Sequence, residues 1–166
     1  MTRHPRQPSC TPAEPTRRRR DLAAVGLGLL LLVATAGCTG PVRSDGVYAS
    51  KAAATAGAAG SAVQTAELAV QEAAAGRLFS RGLAQTLAEA ASDAGDVQAT
   101  FDAIQPPDRR SEVLRGQLDR LLTPAASALA DLRIAARWGD TAALPSVAAP
   151  LPELAAELQQ FQEAHQ

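Results

Sequence analysis

The sequence FSRGLAQTLAEAASDAGDVQATFDAI, residues 79–104, carries the clearest helical pattern of this chain. Its apolar side chains and small alanines recur every three or four residues, at Phe79, Leu83, Leu87, Ala90, Ala94, Val97, Phe101 and Ile104. This spacing predicts a long amphipathic helix that packs along one face. Ser80 is a suitable N-cap for this helix. The helix should end before Pro106, because the residue that precedes a proline disfavours the α conformation.

A second amphipathic stripe follows after residue 108. Apolar residues recur at the same steps, at Leu114, Leu118, Leu121, Ala125, Ala128, Leu132 and Ala135. Asp108 and Ser111 are both good N-caps, and Gly139 is a natural C-terminal stop. Pro124 interrupts the stripe, so the segment is either one kinked helix or two helices, with Thr123 capping the second. We favour one kinked helix that ends directly before Gly139.

The segment before this pair is rich in alanine and predicts a helix from about Val47 to Ala75. Gly57 and Gly60 each disfavour a helix by about 1 kcal/mol relative to alanine. The first half of this helix is therefore its least favourable part. Gly76 is a natural stop.

The last segment repeats the apolar spacing, at Leu144, Val147, Leu151, Leu154, Leu158 and Phe161. Pro145, Pro150 and Pro152 predict that its first half is bent or broken, because proline cannot donate a helical hydrogen bond. Residues 153–163 should form a regular helix.

Together these segments predict an all-α fold, a small antiparallel four-helix bundle over residues 47–164. Alanine supplies 33 of the 129 residues from position 38 onward, and alanine is the best helix former. No sustained alternation of β-branched or aromatic residues predicts a strand. Short Pro- and Gly-containing connections between the segments suit an up-down-up-down bundle.

The N-terminal residues predict a targeting segment rather than part of the fold. Four arginines, residues 17–20, precede twelve uncharged and mostly apolar residues, 22–33, and small residues follow up to Cys38. A basic region, an apolar region and a small-residue cleavage site are typical of a secretory signal peptide. The uncharged stretch 22–40 is 19 residues long, which is near the lower limit for crossing a bilayer. A retained, uncleaved signal anchor is therefore the alternative.

Thr35-Ala36-Gly37-Cys38, at the end of this apolar stretch, resembles the lipobox of bacterial lipoprotein precursors. Thr35 stands where that family usually has leucine, and the resemblance covers only residues 17–38. It implies that a diacylglycerol is joined to the Cys38 thiol and that the chain is cut between Gly37 and Cys38. Residues 1–37 would then be the removed signal peptide, and residues 38–46 a tether close to the membrane. The four arginines leave export by the Sec or the twin-arginine route open.

Charge and composition exclude several classes of function. Residues 38–166 hold 10 basic and 15 acidic residues, a net charge near −5, which gives no reason to expect a nucleic-acid partner. This part has one cysteine, no methionine and one histidine, His165, next to the last residue. That set predicts no metal, no haem and no other cofactor. It also lacks the placed histidine base of a catalytic triad, so we expect no enzyme.

Three residues are candidate partner contacts: Arg133, Arg137 and Trp138. The two arginines lie one helical turn apart and suit a partner carboxylate, but they equally suit an Asp or Glu on the next helix, which we favour. Trp138 is either a packing cap, which we favour, or an exposed anchor. We therefore expect a membrane-anchored lipoprotein with a non-catalytic binding or scaffolding role at the cell envelope. The alternative role is binding of a lipid or other apolar ligand between the helices.

Overall fold

The computed structural model describes residues 44–166. The predicted signal peptide, the cleavage position between Gly37 and Cys38, the lipidation of Cys38 and most of the predicted tether lie outside the described residues. Five helices follow in chain order: α1 Asp45–Ala74, α2 Ser80–Asp102, α3 Arg109–Trp138, α4 Leu144–Ala148 and α5 Leu151–Ala164.

These helices confirm the predicted all-α four-helix bundle, in which α4 and α5 together form the fourth segment. Within the described residues there is no strand. Turns of five or six residues join successive long segments, which makes them antiparallel neighbours. Helix α1 packs against α2 and α5 and also contacts α3 and α4, while α3 packs against α2, α4 and α5.

Of the three long helices, two begin with a side-chain cap and one does not. Ser44 caps α1 through its Oγ, which accepts a hydrogen bond from the Val47 N–H at 3.3 Å, so residues 45 and 46 are helical rather than part of a tether. Asp108 caps α3, where its Oδ1 accepts from the Ser111 N–H at 2.8 Å. The predicted Ser80 cap of α2 is wrong: the extended residue Phe79 holds that position without a side-chain hydrogen bond.

Glycines end two of the long helices, as predicted. Gly76 has φ +71° and Gly139 has φ +72°, a left-handed conformation that glycine adopts without a Cβ clash. After Gly139, the Asp140 N–H returns to the Ala135 carbonyl at 2.9 Å, which satisfies an orphan carbonyl of the last turn.

Prolines have opposite effects in the two later segments. Helix α3 runs continuously through Pro124, which confirms one helix instead of two. The fourth segment is interrupted between Ala148 and Leu151, where Pro150 supplies no N–H, as the sequence predicts. Its regular part, α5, begins at Leu151, two residues earlier than expected.

The core uses most of the predicted seams, but several predicted positions are not fully buried. Leu83, Leu87, Ala90, Ala94 and Phe101 of α2 are buried, but Phe79 is 71% exposed, because it precedes the helix and its ring lies beside Gly82. In α3, Leu122 and Leu129 are buried while Leu121 is only half-buried. Since α3 contacts several helices, its buried face is wider than a single seam.

Small residues in α1 allow a close approach to α5. Gly60 is buried, and a Cβ placed on it would lie 3.6 Å from the Leu158 Cβ. Seven alanines of α1 are also buried. The glycines that weaken α1 as an isolated helix are therefore compensated by packing against its neighbours.

Replacing Gly95 or Gly116 with alanine should stabilise the protein by about 1 kcal/mol each. Both glycines lie inside helices, and a Cβ added to either would meet no atom within 4 Å. Gly139→Ala is the matched control: its Cβ also has open space, but the positive φ of this position should make the substitution destabilising. Urea denaturation of the three variants measures these differences, and a stabilising Gly139→Ala would contradict the assignment of a left-handed cap.

Candidate functional site

The predicted contact residues lie in the last turns of α3 and are exposed. Within residues 44–166, no ion pair involves Arg133 or Arg137, so the favoured pairing with a neighbouring acid is wrong. Trp138 is 81% exposed, so the favoured packing cap is also wrong. The indole lies outside the core because Trp138 is the last residue of α3, on the side away from its packed face. All three side chains are available to a partner.

A shallow groove between α2 and α3 lies beside these residues. It holds about 310 Å³ and is lined by Ala84, Ala88, Arg133, Ile134, Ala136 and Arg137, a set we call the α2–α3 groove. No carboxylate belongs to this lining. The alanines of α2 make a low floor, and the two guanidinium groups supply positive charge.

Apolar surface borders the α2–α3 groove. Ile134 is 48% exposed. Trp138 follows Ile134 by one helical turn, so the two side chains are neighbours on the surface of α3. Arg81 lies one turn before Ala84 on the same side of α2. The groove therefore combines cations with exposed apolar atoms.

A buried polar cluster at the other end of the bundle was missed by the sequence analysis. Tyr48 is fully buried, its ring centroid lies 5.2 Å from that of Phe101, and its hydroxyl has no hydrogen-bond partner among the described residues. The Asp119 Oδ1 is likewise buried without such a partner. Arg115 Nη2 donates to the Asp102 carbonyl at 2.7 Å and to its carboxylate at 3.3 Å.

Burial governs the protonation of this cluster. It raises the pKa of the Asp119 carboxyl, and the nearby Asp102 carboxylate adds to that rise while Arg115 opposes it. Burial also raises the pKa of the Tyr48 hydroxyl, against the effect of Arg115. In the sequence, Arg115 and Asp119 are spaced one helical turn apart, as in many solvent-exposed ion pairs. Their burial depends on the packing of α1 and α2 against them, which the spacing does not reveal.

Asp119→Asn should raise the free energy of unfolding at about pH 7, because the ionised carboxylate is disfavoured by burial. The folded-state pKa of Asp119 is raised, so the folded protein binds more protons than the unfolded chain between the two pKa values. The advantage of the variant should therefore shrink as the pH falls through the folded-state pKa. Urea denaturation at about pH 7 and about pH 4 tests this. Asp93→Asn, on the exposed face of α2, is the control and should show no such advantage.

A second groove lies where α1 and α3 begin. It holds about 380 Å³, and its lining includes Asp45, Arg110, Ser111, Gln117 and His165. Arg110 and Asp45 form an exposed ion pair across it at 3.8 Å, so its charges are mixed. The His165 ring packs against Phe161 at a centroid distance of 4.5 Å. We assign no chemistry to this groove.

In residues 44–166, no three or more His, Cys, Asp or Glu side chains are grouped to hold a metal ion. None of the helices in this range is both long enough and apolar enough to cross a bilayer. Neither protein-family models, nor curated proteins, nor solved structures give a significant match to the chain.

Proposed function

We propose that this chain is an exported lipoprotein, held at the extracytoplasmic face of the cell membrane by a diacylglycerol on Cys38. We further propose that its helical bundle binds another protein there without catalysing a reaction. The observation that carries the anchor is the placement of Thr35-Ala36-Gly37-Cys38 directly after the arginines and the apolar stretch. Because positive charge favours the cytoplasmic side, the chain after Cys38 faces outward.

The bundle supports the binding part of this proposal. Helix α1 begins at Asp45, so little chain separates the folded domain from the proposed anchor. The α2–α3 groove offers exposed apolar side chains and cations that form no ion pair within residues 44–166, a combination that protein interfaces favour. Two acyl chains hold a protein to a membrane far more firmly than one, since each buried CH₂ contributes about 0.8 kcal/mol.

Binding of an apolar ligand between the helices has less support. Ligand pockets usually hold about 300–1,000 Å³ and are mostly apolar. Among the best-formed cavities of residues 44–166, the one lined by Val70, Leu78, Leu83 and Leu144 holds about 120 Å³. The cavities of about 310–380 Å³ are open at the surface, and polar or charged side chains form part of the lining of each.

Cell fractionation combined with protease treatment tests the proposed location. An antibody to the bundle should find the protein in the membrane fraction, and protease added outside intact protoplasts should remove the signal. Protection from the protease, or recovery from the cytosol, would overturn the proposal. A full-length chain in the membrane fraction would instead support the uncleaved signal anchor.

A further inference from the structure

The α2–α3 groove is positively charged, although the protein around it carries a net negative charge. Residues 38–166 carry a net charge near −5, yet the residues lining this groove include two arginines and no acid. Arg81 adds a third cation on the same side of α2. Within the described residues, none of these three arginines forms an ion pair. The groove is therefore a local site for an anionic partner on an acidic molecule.

The apolar surface beside the arginines indicates a peptide carboxylate rather than a small inorganic anion. Ile134 and Trp138 expose large apolar surfaces one turn apart, beside the low floor made by Ala84 and Ala88. Tryptophan and arginine are the residues that most often carry binding energy at protein interfaces. A small inorganic anion would leave this apolar surface in water, whereas a peptide segment would cover it.

We propose that the α2–α3 groove binds a segment of another protein that carries two carboxylates next to an apolar side chain. This inference rests on the proposed binding role and names its partner. Arg133 and Arg137 are separated by about 6 Å along the axis of α3, so the two carboxylates should have a similar spacing. The apolar side chain contacts Ile134 and Trp138.

The position of the groove favours a protein over an anionic bilayer. The starts of α1 and α3 are adjacent, as the ion pair between Asp45 and Arg110 shows. Arg133 lies about 36 Å further along α3, at 1.5 Å per residue. In the proposed anchored form, the chain from Cys38 to Ser44 spans at most about 20 Å. The groove therefore lies at the end of the bundle opposite the start of α1, which is the end nearest the proposed anchor.

Photo-crosslinking in cells that make the protein tests the proposal. A photoreactive phenylalanine analogue replaces Trp138 in the full chain, and the same analogue replaces Leu68, which is 56% exposed on α1, as the positional control. Mass spectrometry then identifies the peptide joined to position 138. We expect a peptide of another protein with at least two acidic residues beside the crosslinked position.

Charge reversal supplies the matched control. Arg133→Glu with Arg137→Glu should lower the yield of this crosslink by about tenfold or more, because close charge pairs at an interface are replaced by repulsion. Arg109→Glu with Arg120→Glu makes the same change in net charge on exposed positions of α3 outside the groove, and should leave the yield unchanged. Circular dichroism of both double variants verifies that the helices remain.

Each other outcome overturns the proposal. Adducts with lipid would assign the groove to the membrane, and adducts with this chain would assign it to a second copy. An acid-free peptide, equal loss in both double variants, or no yield above that at position 68 would remove the acidic segment as the partner. Fractionation of the same cells shows whether the protein is in the membrane fraction. A failure of the proposed anchor is therefore distinguished from a failure of the proposed binding at the groove.

Discussion

Cys38→Ser abolishes incorporation of labelled fatty acid into the protein, and the variant keeps residues 1–37. This is the expected result because the thiol is the proposed acceptor of the diacylglycerol, and cleavage before residue 38 depends on that modification in the family the N-terminus resembles. The chain has one other cysteine, Cys10, which lies in the part removed by cleavage. The measurement is metabolic labelling with a fatty acid, followed by precipitation and determination of the chain mass.

Cys10→Ser is the matched control for this variant. It removes the same thiol chemistry from a position outside the lipobox-like sequence, so labelling and cleavage should equal those of the unmodified chain. Label that persists in Cys38→Ser, or that disappears in Cys10→Ser, would show that acylation does not occur at residue 38.

Leu118→Ala lowers the free energy of unfolding by about 2–5 kcal/mol, the range for removing a buried leucine side chain. Leu118 is fully buried in the middle of the core face of α3. Small domains have only about 5–15 kcal/mol of stability in total, so this single change removes a large part of it. Urea denaturation followed by circular dichroism measures the loss.

Val113→Ala on the same helix is the control for the core assignment. Val113 is 58% exposed, and exposed substitutions usually change stability by no more than about 0.5 kcal/mol. Similar losses for both variants would mean that the face of α3 assigned to the core is wrong.

Local rules were sufficient to predict the helices themselves. The three- and four-residue steps from Leu83 to Phe101 correspond to the buried face of α2, and Asp108 and Gly139 mark the ends of α3. The apolar spacing, the N-cap and the C-terminal glycine each depend on residues within one or two helical turns, so they can be recognised in the sequence alone.

Features that depend on several elements could not be predicted in the same way. Leu122 and Leu129 are buried because α3 contacts several helices, and a one-seam pattern selects Leu121 instead. Gly60 is favourable only because α5 approaches it.

The candidate site shows the same division between local and tertiary information. Arg133 and Arg137 were placed on one face by their spacing, but their lack of an ion-pair partner within the described residues depends on which side chains α2 presents. The exposed indole of Trp138 and the burial of Tyr48 beside Phe101 are likewise consequences of how the helices assemble.

The mass of the N-terminal peptide of the membrane-extracted protein is the decisive test of the proposed lipid anchor. We expect this peptide to begin at Cys38 and to carry a diacylglycerol on the sulfur. A peptide that begins before residue 38, or one that begins at Cys38 with a free thiol, would contradict it.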